Sequence, residues 1–563
     1  MLIERHFATL ATAFGTRQLH YRRCGTGPAV LLLHQSPQSS AEYEPLMREW
    51  ADRFTVIAPD YPGFGMSDPL GADGELELGL DDFAGVLIAL LDALGIRAAG
   101  AYGFHTGAGM AVALADRAPE RISAVYANGY VVLSDAEREA TLSGYLPPFR
   151  PAWDGAHLLW LWTRNRDQLI FYPWFARRAA ARIARTVPPP AVLHDWAMEL
   201  LRAGDHYRVG YRAAFTYPGE VPVRRLRTPA IITATNNDVL AACLQRITDP
   251  APGVAVRLGG SMADNLAEAA AFFAANPGAE PPSPPPTAPA AKRAWNTTVM
   301  TPAGCVRVRC DLTRPGTPIL LLHDLGGASE TVEPLLTALA VHRPVLTLDL
   351  PGHGETHRLN GADFVAACID AIGAVLDHFA MTRVHAAGCG GGSVVLAAAA
   401  RARSTRFAGL VLSGLPYLDT AAAREQAERF APRIDPVWHG GHLLEYWHVA
   451  RNQALFWPWY AQDDAHALSG EPRAEAADLH VRTLALLKAA ADLPAAAAAV
   501  FTYPLDGALA ELSRPAALAA APSDPHAPHV RAAAAAHPHH KLIDLPDAPA
   551  AQAPVLLEIF AEE

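Results

Sequence analysis

Residues 99–107 read AGAYGFHTG, an apolar run that ends in Gly103-Phe104-His105-Thr106-Gly107. The first six residues have the length and composition of a buried strand, and a segment of helical length follows. Glycines stand two residues before and two residues after His105, and glycine permits a turn that is too tight for a side chain. The stretch therefore predicts a strand that turns sharply at His105 into a helix.

Strand-like runs alternate with helical segments throughout this half of the chain. The segment DDFAGVLIALLDALG at 81–95 has the length and pattern of a helix. The strand-like runs around it are VLLLH at 30–34, FTVIAPD at 54–60, AGAYGF at 99–104 and ISAVYANG at 122–129. Such alternation predicts an α/β fold with a mostly parallel, doubly wound sheet and helices on its faces.

The second half of the chain repeats the first. WDGAHLLWLWTRNRDQLIFYPWFA at 153–176 matches WHGGHLLEYWHVARNQALFWPWYA at 438–461. The offset of 285 residues is constant along this match, and it relates His157 to His442. A match of this length at a fixed offset indicates an internal duplication.

A Pro-rich stretch, NPGAEPPSPPPTAPAA at 276–291, separates the two copies and is typical of a semi-extended linker. We predict a first domain at 1–275, a linker at 276–292 and a second domain at 293–563. Two Trp- and Arg-rich regions without strand runs, about 133–220 and 415–505, predict a helical cap in each domain. Because homodimers pack equivalent surfaces, we expect the two halves to form an internal pseudo-dimer.

Composition narrows the class of protein. The 563 residues are 51% hydrophobic and 18% charged, with a net charge of -11 and without a Lys/Arg stripe, which argues against nucleic-acid binding. The six cysteines lack CxxC spacing, so we expect a reducing compartment and neither a disulfide framework nor a zinc site. The N-terminus has no apolar signal region, and no apolar run approaches the roughly 20 residues that cross a bilayer. These features predict a soluble cytoplasmic protein without membrane attachment.

The order of motifs resembles the α/β-hydrolase superfamily, especially its capped members. The motifs are a strand ending in His34, the turn that begins at Asp60 (Asp-x-Pro-Gly-x-Gly), the glycine-framed turn at His105, a cap, and a late strand followed by Asp238. The resemblance covers almost the whole chain twice and implies two tandem α/β-hydrolase domains. In such folds the ligand lies at the carboxyl ends of the strands.

Both copies depart from the family's Ser-His-Asp triad. The family holds serine at the tip of the turn, G-x-S-x-G, where this chain has His105 in the first copy and Gly390 in the second. A shifted register would place Cys389 at the second tip, as in dienelactone hydrolases, but the flanking offset of 285 aligns Cys389 with Phe104. Neither copy has a histidine after its last strand, and we interpret His537, His539 and His540 before the final strand as a solvated turn.

Resemblance to the family therefore implies a site built around His105. Asp238 is placed to orient the imidazole, which would act as a base or, alternatively, as a nucleophile. The N–H groups of Thr106 and Gln35 would form the oxyanion hole. Asp524 has the equivalent position in the second copy and faces no tip side chain. The alternative for His105 is a polar filler in an inactive turn, and for Asp238 ordinary turn chemistry.

Three cap residues, His157, Arg166 and Gln168, are candidate substrate-binding groups, because arginine forms a bidentate fork for carboxylate or phosphate. His34 is a fourth candidate. Each has a structural alternative: His157 caps a helix or bonds to the backbone, Arg166 pairs with Asp154 or Asp167, and His34 shapes the oxyanion loop.

Three functions remain open from the sequence. The first is a hydrolase without a catalytic serine, with its site in domain 1, acting on a small ester, thioester or carbon–carbon bond of a carboxylate or aromatic compound. The second is a serine-free lyase, decarboxylase or isomerase. The third is a binding or scaffold protein that has lost its chemistry. None of them requires a metal or a cofactor.

Overall fold

A computed structural model of the chain describes residues 2–71, 74, 76–282 and 295–561. Contacts divide it into two compact units. Unit 1 contains the described residues of 1–150, 157–287 and 437–440, and unit 2 those of 151–156, 288–436 and 441–563. No single helix in the described ranges is long and apolar enough to cross a membrane, whereas one pair of helices joined at a 94° bend (Ala476–Ala489 with Leu493–Phe501) meets that criterion jointly.

Unit 1 is built on an eight-stranded sheet with the order β1-β2-β4-β3-β5-β6-β7-β8. The pairings of β2 with β1 and β4 are antiparallel and the other pairings are parallel. The strands are β1 (Glu4–Thr12), β2 (Gly15–Cys24), β3 (Ala29–Leu33), β4 (Thr55–Pro59), β5 (Ala99–Phe104), β6 (Ile122–Asn128), β7 (Ala230–Thr233) and β8 (Val254–Val256). The helices are α1 (Glu44–Trp50), α2 (Leu80–Ala93), α3 (Thr106–Arg117), α4 (Asp135–Gly144), α5 (Ala156–Ile170), α6 (Pro190–Ala203), α7 (Tyr207–Thr216), α8 (Glu220–Val223) and α9 (Met262–Ala275).

Unit 2 repeats this topology, with the strand order β9-β10-β12-β11-β13-β14-β15-β16. Its strands are β9 (Trp295–Thr301), β10 (Gly304–Asp311), β11 (Ile319–Leu322), β12 (Val345–Leu348), β13 (Val384–Cys389), β14 (Phe407–Ser413), β15 (Ala517–Ala520) and β16 (Lys541–Asp544). Its helices are α10 (Glu333–Ala340), α11 (Phe364–His378), α12 (Gly391–Ala402), α13 (Thr420–Arg429), α14 (Gly441–Gln453), α15 (Ala476–Ala489), α16 (Leu493–Phe501), α17 (Leu505–Ala510), α18 (Ala527–Ala536) and α19 (Ala553–Ile559). The predicted fold class, two mostly parallel α/β sheets in tandem, is confirmed.

The apolar strand residues explain why the central strands are buried on both faces. Every residue of β3 and β4 is buried, as expected for parallel strands covered by helices on both sides. In unit 1 the rings of Trp50, Tyr102, Tyr126 and Phe273 pack together on one face of the sheet.

Helices without a regular strand fill the chain between β6 and β7, where α4 to α8 lie, and between β14 and β15, where α13 to α17 lie. These are the ranges that the sequence predicts to be caps. Of the predicted linker, 283–292 lies outside the described residues. Its first part, 276–282, belongs to unit 1, because the Ala279 N–H donates to the Ala98 carbonyl at 2.7 Å and the Ala279 carbonyl accepts from the Ala29 N–H at 2.9 Å.

The register of the parallel strands brings four chain segments to one edge of sheet 1. Leu33 of β3 pairs with Gly103 of β5, Phe104 pairs with Asn128 of β6, and Asn128 pairs with Thr233 of β7. The residues that directly follow these strands therefore converge at the carboxyl edge, where open α/β sheets bind their ligands.

Candidate active site

The turn between β5 and α3 is as tight as the sequence predicts. A Cβ atom on Gly103 would lie 2.0 Å from the Gly107 carbonyl oxygen, and one on Gly107 would lie 1.9 Å from the Leu33 carbonyl oxygen. His105 stands between them with φ of 50° and ψ of -113°, a conformation that is costly for a residue other than glycine. The strained turn lifts the imidazole onto the carboxyl edge of the sheet.

The imidazole contacts Asp238, which comes from the loop after β7. His105 Nε2 lies 2.9 Å from Asp238 Oδ2, with 24% of the histidine side chain and 2% of the aspartate side chain exposed. Burial raises the pKa of Asp238, but the hydrogen bond and charge of His105, helped by the Leu240 N–H, outweigh it and hold the pKa below its ordinary value. Asp238 is therefore a carboxylate that orients a solvent-accessible ring.

Space for the ring depends on Gly129, the residue that follows β6. A Cβ atom there would lie 2.3 Å from His105 Cδ2 and 3.1 Å from Asp238 Oδ2, and the backbone has φ of 71°. Any side chain at this position would displace the ring from the carboxylate. The glycine was visible in the sequence as the end of ISAVYANG, but only the strand register reveals what it makes room for.

The other ring nitrogen faces the loop after β3. His105 Nδ1 lies 3.2 Å from Gln35 Oε1, while Gln35 Nε2 donates to Glu42 Oε2 at 3.0 Å. Glu42 Oε1 accepts the backbone N–H of Gln35 at 2.8 Å. Burial raises the pKa of the Glu42 carboxyl to about 8, against the opposing effect of the Gln35 hydrogen bonds. Glu42 is a site residue that sequence reasoning missed.

The two predicted oxyanion donors differ in their surroundings. The Thr106 N–H is the first of α3, and helix-start N–H groups have no acceptor within the helix. Its side chain is used structurally, because Thr106 Oγ1 accepts from the Ser36 N–H at 2.6 Å. The Gln35 N–H is donated to Glu42, so it binds an oxyanion only if that hydrogen bond is released.

His34 is enclosed by backbone groups. Its ring is fully buried, Nδ1 donates to the Gln35 carbonyl at 3.0 Å, and Nε2 accepts from the Tyr61 N–H at 2.9 Å. Burial lowers the pKa of His34 to about 4, which keeps the ring neutral. Both nitrogens are used to shape the loop, which is the structural alternative for this residue.

The three cap candidates lie on α5 in different environments. His157 is buried and packs on Phe149, with ring centroids 5.6 Å apart. Gln168 Oε1 accepts from Arg164 Nη1 at 3.0 Å. Arg166 is half-buried, and its Nε is buried without a hydrogen-bond partner in the described part of the chain. Among the described residues Arg166 forms no ion pair with Asp154 or Asp167, and Asp167 pairs instead with Arg177 at 2.7 Å.

Arg164 is the unusual charge of this helix. The side chain is 1% exposed, and the guanidinium carbon lies 5.5, 5.6, 5.2 and 5.6 Å from the ring centroids of Tyr145, Trp174, Tyr207 and Tyr211. Nε and Nη2 have no acceptor within hydrogen-bond distance among the described residues, although Tyr211 interacts with the guanidinium. Comparison of the two copies in the sequence could have drawn attention to Arg164, because the equivalent position in the second copy is Val449.

The aromatic cage of Arg164 is connected to the turn at His105. Tyr211 follows Gly210 on α7, and a Cβ atom on Gly210 would lie 3.3 Å from Ser36 Oγ. Ser36 bonds directly to Thr106. The cap helix that holds part of the cage therefore packs on the loop beside the candidate site.

The equivalent turn of unit 2 is filled by a carboxylate. Gly390 occupies the tip with φ of 51°, and Cys389 is the last residue of β13, in the position that Phe104 has in β5. Asp324 Oδ1 accepts the N–H groups of Gly391 at 2.6 Å and Leu325 at 2.7 Å. A Cβ atom on Gly390 would lie 2.2 Å from Asp324 Oδ1. The side-chain carboxylate of Asp324 thus occupies the start of α12, which is equivalent to the candidate oxyanion site at the start of α3.

Three other residues of unit 2, Cys389, His537 and His540, are also not in a reactive arrangement. Burial, together with the charges of Asp324 and Asp524, raises the pKa of the Cys389 thiol to about 12, so the sulfur is a thiol and not a nucleophilic thiolate. The interpretation of His537 and His540 as a solvated turn is wrong. Both are buried, His537 Nε2 lies 3.0 Å from Asp506 Oδ1, and His540 Nδ1 accepts the Ala516 N–H.

Comparison with known proteins gives matches in both halves. The model of the α/β-hydrolase fold family matches residues 28–189 and 317–441, together about half of the chain. The chain is similar to 2-(acetamidomethylene)succinate hydrolase of Mesorhizobium japonicum, with 33% identity over 132 residues that cover 23% of this chain and 46% of that protein. It is also similar to haloalkane dehalogenase 2 of Mycobacterium tuberculosis, with 34% identity over 109 residues that cover 19% and 37%.

A solved hydrolase structure from Pseudomonas aeruginosa shares 20% identity at a TM-score of 0.36, covering 48% of this chain and 97% of that one. The chain spans less than half the length of the two curated relatives described above. The double family match and the repeated strand order agree on the architecture. The chain belongs to the α/β-hydrolase fold family.

Proposed function

We propose that unit 1 is a hydrolase without a catalytic serine, in which His105 is the base and Asp238 orients it. The single observation that carries the proposal is the 2.9 Å contact between the solvent-accessible His105 ring and the buried carboxylate of Asp238. A positioned imidazole–carboxylate pair is the arrangement that general-base catalysis uses.

Nδ1 of His105 is the nitrogen that exchanges protons in this proposal, because Nε2–H is held by Asp238. A water molecule that replaces the Gln35 amide beside Nδ1 attacks the carbonyl carbon of the substrate, and its proton passes to Nδ1. The Thr106 N–H stabilises the oxyanion that forms. Nδ1–H then protonates the leaving oxygen or sulfur atom, or the leaving enolate of a β-diketone, as its bond to the carbonyl carbon breaks. This releases an acid together with an alcohol, a thiol or a ketone.

The substrate class in this proposal is a small carboxylate-bearing or aromatic ester, thioester or β-diketone. Arg164 supports the choice of a carboxylate, because its charge has no carboxylate partner among the described residues and its Nε and Nη2 lack acceptors. Tyr and Trp rings around it favour a planar group. The buried guanidinium is reached only when the cap helices move apart.

A serine-free lyase, decarboxylase or isomerase is the second candidate. It is favoured by Glu42, a carboxyl group that holds its proton near neutral pH and is joined to His105 through Gln35. Two proton-exchanging groups at one site suit the removal and return of a proton on carbon. A non-catalytic binding protein is the third reading, and the missing serine favours it.

The test is a turnover screen of the full chain with aryl esters, acyl-CoA thioesters and ring-cleavage β-diketones, repeated with His105→Ala. We expect turnover of at least one class and a fall in kcat/KM of about 100-fold or more in the variant, since a general base contributes about 10²–10⁴. Retained thermal stability of the variant serves as the folding control. Equal turnover by both proteins would remove His105 from the mechanism, and release of an isomer or of carbon dioxide would favour the second candidate.

A further inference from the structure

One side-chain amide separates two proton-holding groups in unit 1. Gln35 Oε1 lies 3.2 Å from His105 Nδ1, and Gln35 Nε2 lies 3.0 Å from Glu42 Oε2. The two ends of a carboxamide have opposite hydrogen-bonding character, and rotation by half a turn exchanges them. The orientation of Gln35 therefore dictates where protons lie at both of its neighbours.

Two arrangements of the Gln35 amide and its neighbouring protons satisfy the hydrogen bonds that link His105, Gln35 and Glu42. In the first, Gln35 Oε1 accepts from Nδ1–H of a doubly protonated His105, and the amide NH₂ donates to an ionised Glu42. In the second, the amide is rotated, its NH₂ donates to Nδ1 of a neutral His105, and its oxygen accepts from the O–H of a protonated Glu42. One proton has moved from the imidazole to the carboxyl group by exchange with solvent, and the total charge is unchanged.

We propose that His105 and Glu42 share one proton through Gln35, which makes Glu42 a positioning residue that sets the protonation state of the catalytic imidazole. Its catalytic meaning rests on the proposed function of His105. Once His105 has taken a proton from water and the Gln35 amide again lies beside Nδ1, the rotated amide allows Glu42 to release a proton, so that the site does not keep the added charge.

The comparison of the two units supports this assignment. The positions equivalent to Gln35, Glu42 and His105 in unit 2 are Asp324, Thr331 and Gly390, so the three residues are lost together. The structural neighbours Ser40 and Asp60 are retained as Ser329 and Asp349, with the same bond from the serine N–H to the aspartate. A purely structural role for Glu42 gives no reason for this joint loss. Its carboxyl also holds a proton near neutral pH, because burial raises its pKa to about 8.

Other ionisable groups act on this pair. Glu199 on α6 raises the pKa of Glu42 by repulsion and is itself paired with Arg202 at 2.5 Å. The charge of Arg185 acts on Asp238, the partner of His105. The phenol groups in electrostatic contact with Glu42 are Tyr43, Tyr61, Tyr102 and Tyr211. All of these phenols have pKa values raised by burial, so they stay neutral while His105 and Glu42 titrate.

The proposal is tested by NMR titration of the full chain labelled with ¹⁵N-histidine, with the His105 signal assigned from the spectrum of His105→Gln. In Glu42→Gln we expect the His105 midpoint to fall by about one pH unit, because a neutral neighbour no longer favours the protonated ring. The matched control is Glu49→Gln, an exposed carboxylate seven residues along the chain, which should leave the midpoint unchanged. If Glu42→Gln fails to fold, Glu42→Asp should shift the midpoint in the same direction by less.

The role of the amide is tested by Gln35→Leu, alone and combined with Glu42→Gln. With the amide absent, Glu42→Gln should no longer move the His105 midpoint. An unchanged midpoint in Glu42→Gln, or a full shift that survives Gln35→Leu, would overturn the proposal. Because no substrate is used, this result is independent of the turnover test of His105, and either can fail without the other.

Discussion

At the residue scale, four side chains of unit 1 have no counterpart in unit 2. His105, Gln35, Glu42 and Arg164 are replaced by Gly390, Asp324, Thr331 and Val449. Structural residues around them, such as His34 and His323, are retained with the same backbone hydrogen bonds. These four replacements thus lie at the candidate site and in the cage of Arg164, where the two copies differ in chemistry.

A substitution at Arg164 distinguishes a structural role of this side chain from a functional one. Burying the charge of Arg164 without a carboxylate partner costs free energy, and the four ring contacts offset this cost, so replacement by an apolar side chain of similar length should change the stability little. In Arg164→Met we expect the free energy of unfolding to change by less than about 1 kcal/mol while kcat/KM for a carboxylate substrate falls at least tenfold. Chemical denaturation and steady-state kinetics measure the two effects. A large loss of stability with retained turnover would identify Arg164 as a structural residue only.

At the element scale, the site depends on how the parallel strands end. The turn between β5 and α3 could be predicted from Gly103 and Gly107. Asp238 could be predicted from its place after a late strand, because the carboxyl ends of parallel strands meet at one edge of the sheet. Gln35 could be predicted as a loop residue of the site, but not the contacts of its side chain. Glu42 and the cage of Arg164 could not be predicted, since their contacts depend on side-chain directions in loops and helices far apart in sequence. The same applies to His537 and His540, whose burial depends on helices packed over the last strand.

Gly129 offers a matched test of this geometry, because Gly414 has the equivalent position after β14. Both have positive φ, so an alanine at either costs about 1 kcal/mol of backbone strain. Only at Gly129 does the added Cβ collide with the imidazole, whereas at Gly414 it meets Asp524. We expect Gly129→Ala to lower kcat/KM at least tenfold and Gly414→Ala to leave it unchanged. Similar kinetics for the two variants would show that ring placement at Gly129 does not limit turnover.

At the scale of the whole molecule, the turn before α3 in unit 1 and the equivalent turn before α12 in unit 2 are occupied by different side chains. In unit 1 the helix start lies below a side chain that is open to solvent, and in unit 2 it is neutralised by Asp324. Burial raises the pKa of Asp324 to about 6, helped by the nearby Asp524 and opposed by the Gly391 and Leu325 N–H groups. Asp324 thus occupies, through two hydrogen bonds within the chain, the position that is the candidate oxyanion site of unit 1.

The contact of Asp324 makes the free energy of unfolding depend on pH. Because the folded-state pKa of Asp324 is raised, its contribution to the free energy of unfolding is fully present below about pH 4. This contribution is lost as the pH rises through 6. We expect Asp324→Asn to remove this component, so that its unfolding free energy relative to the original protein increases between pH 4 and pH 7. Asp464→Asn, an aspartate outside this turn, is the control, and equal pH dependence for both variants would contradict this account of Asp324.

The most direct test of the central claim, that chemistry belongs to unit 1 alone, compares Asp238→Asn with Asp524→Asn. The two aspartates follow equivalent strands, but only Asp238 contacts a tip side chain. With any substrate that the turnover screen identifies, we predict that kcat/KM falls about 100-fold or more in Asp238→Asn and stays within twofold in Asp524→Asn. Equal losses in both variants, or a larger loss in Asp524→Asn, would contradict the assignment of the active site to His105 and Asp238.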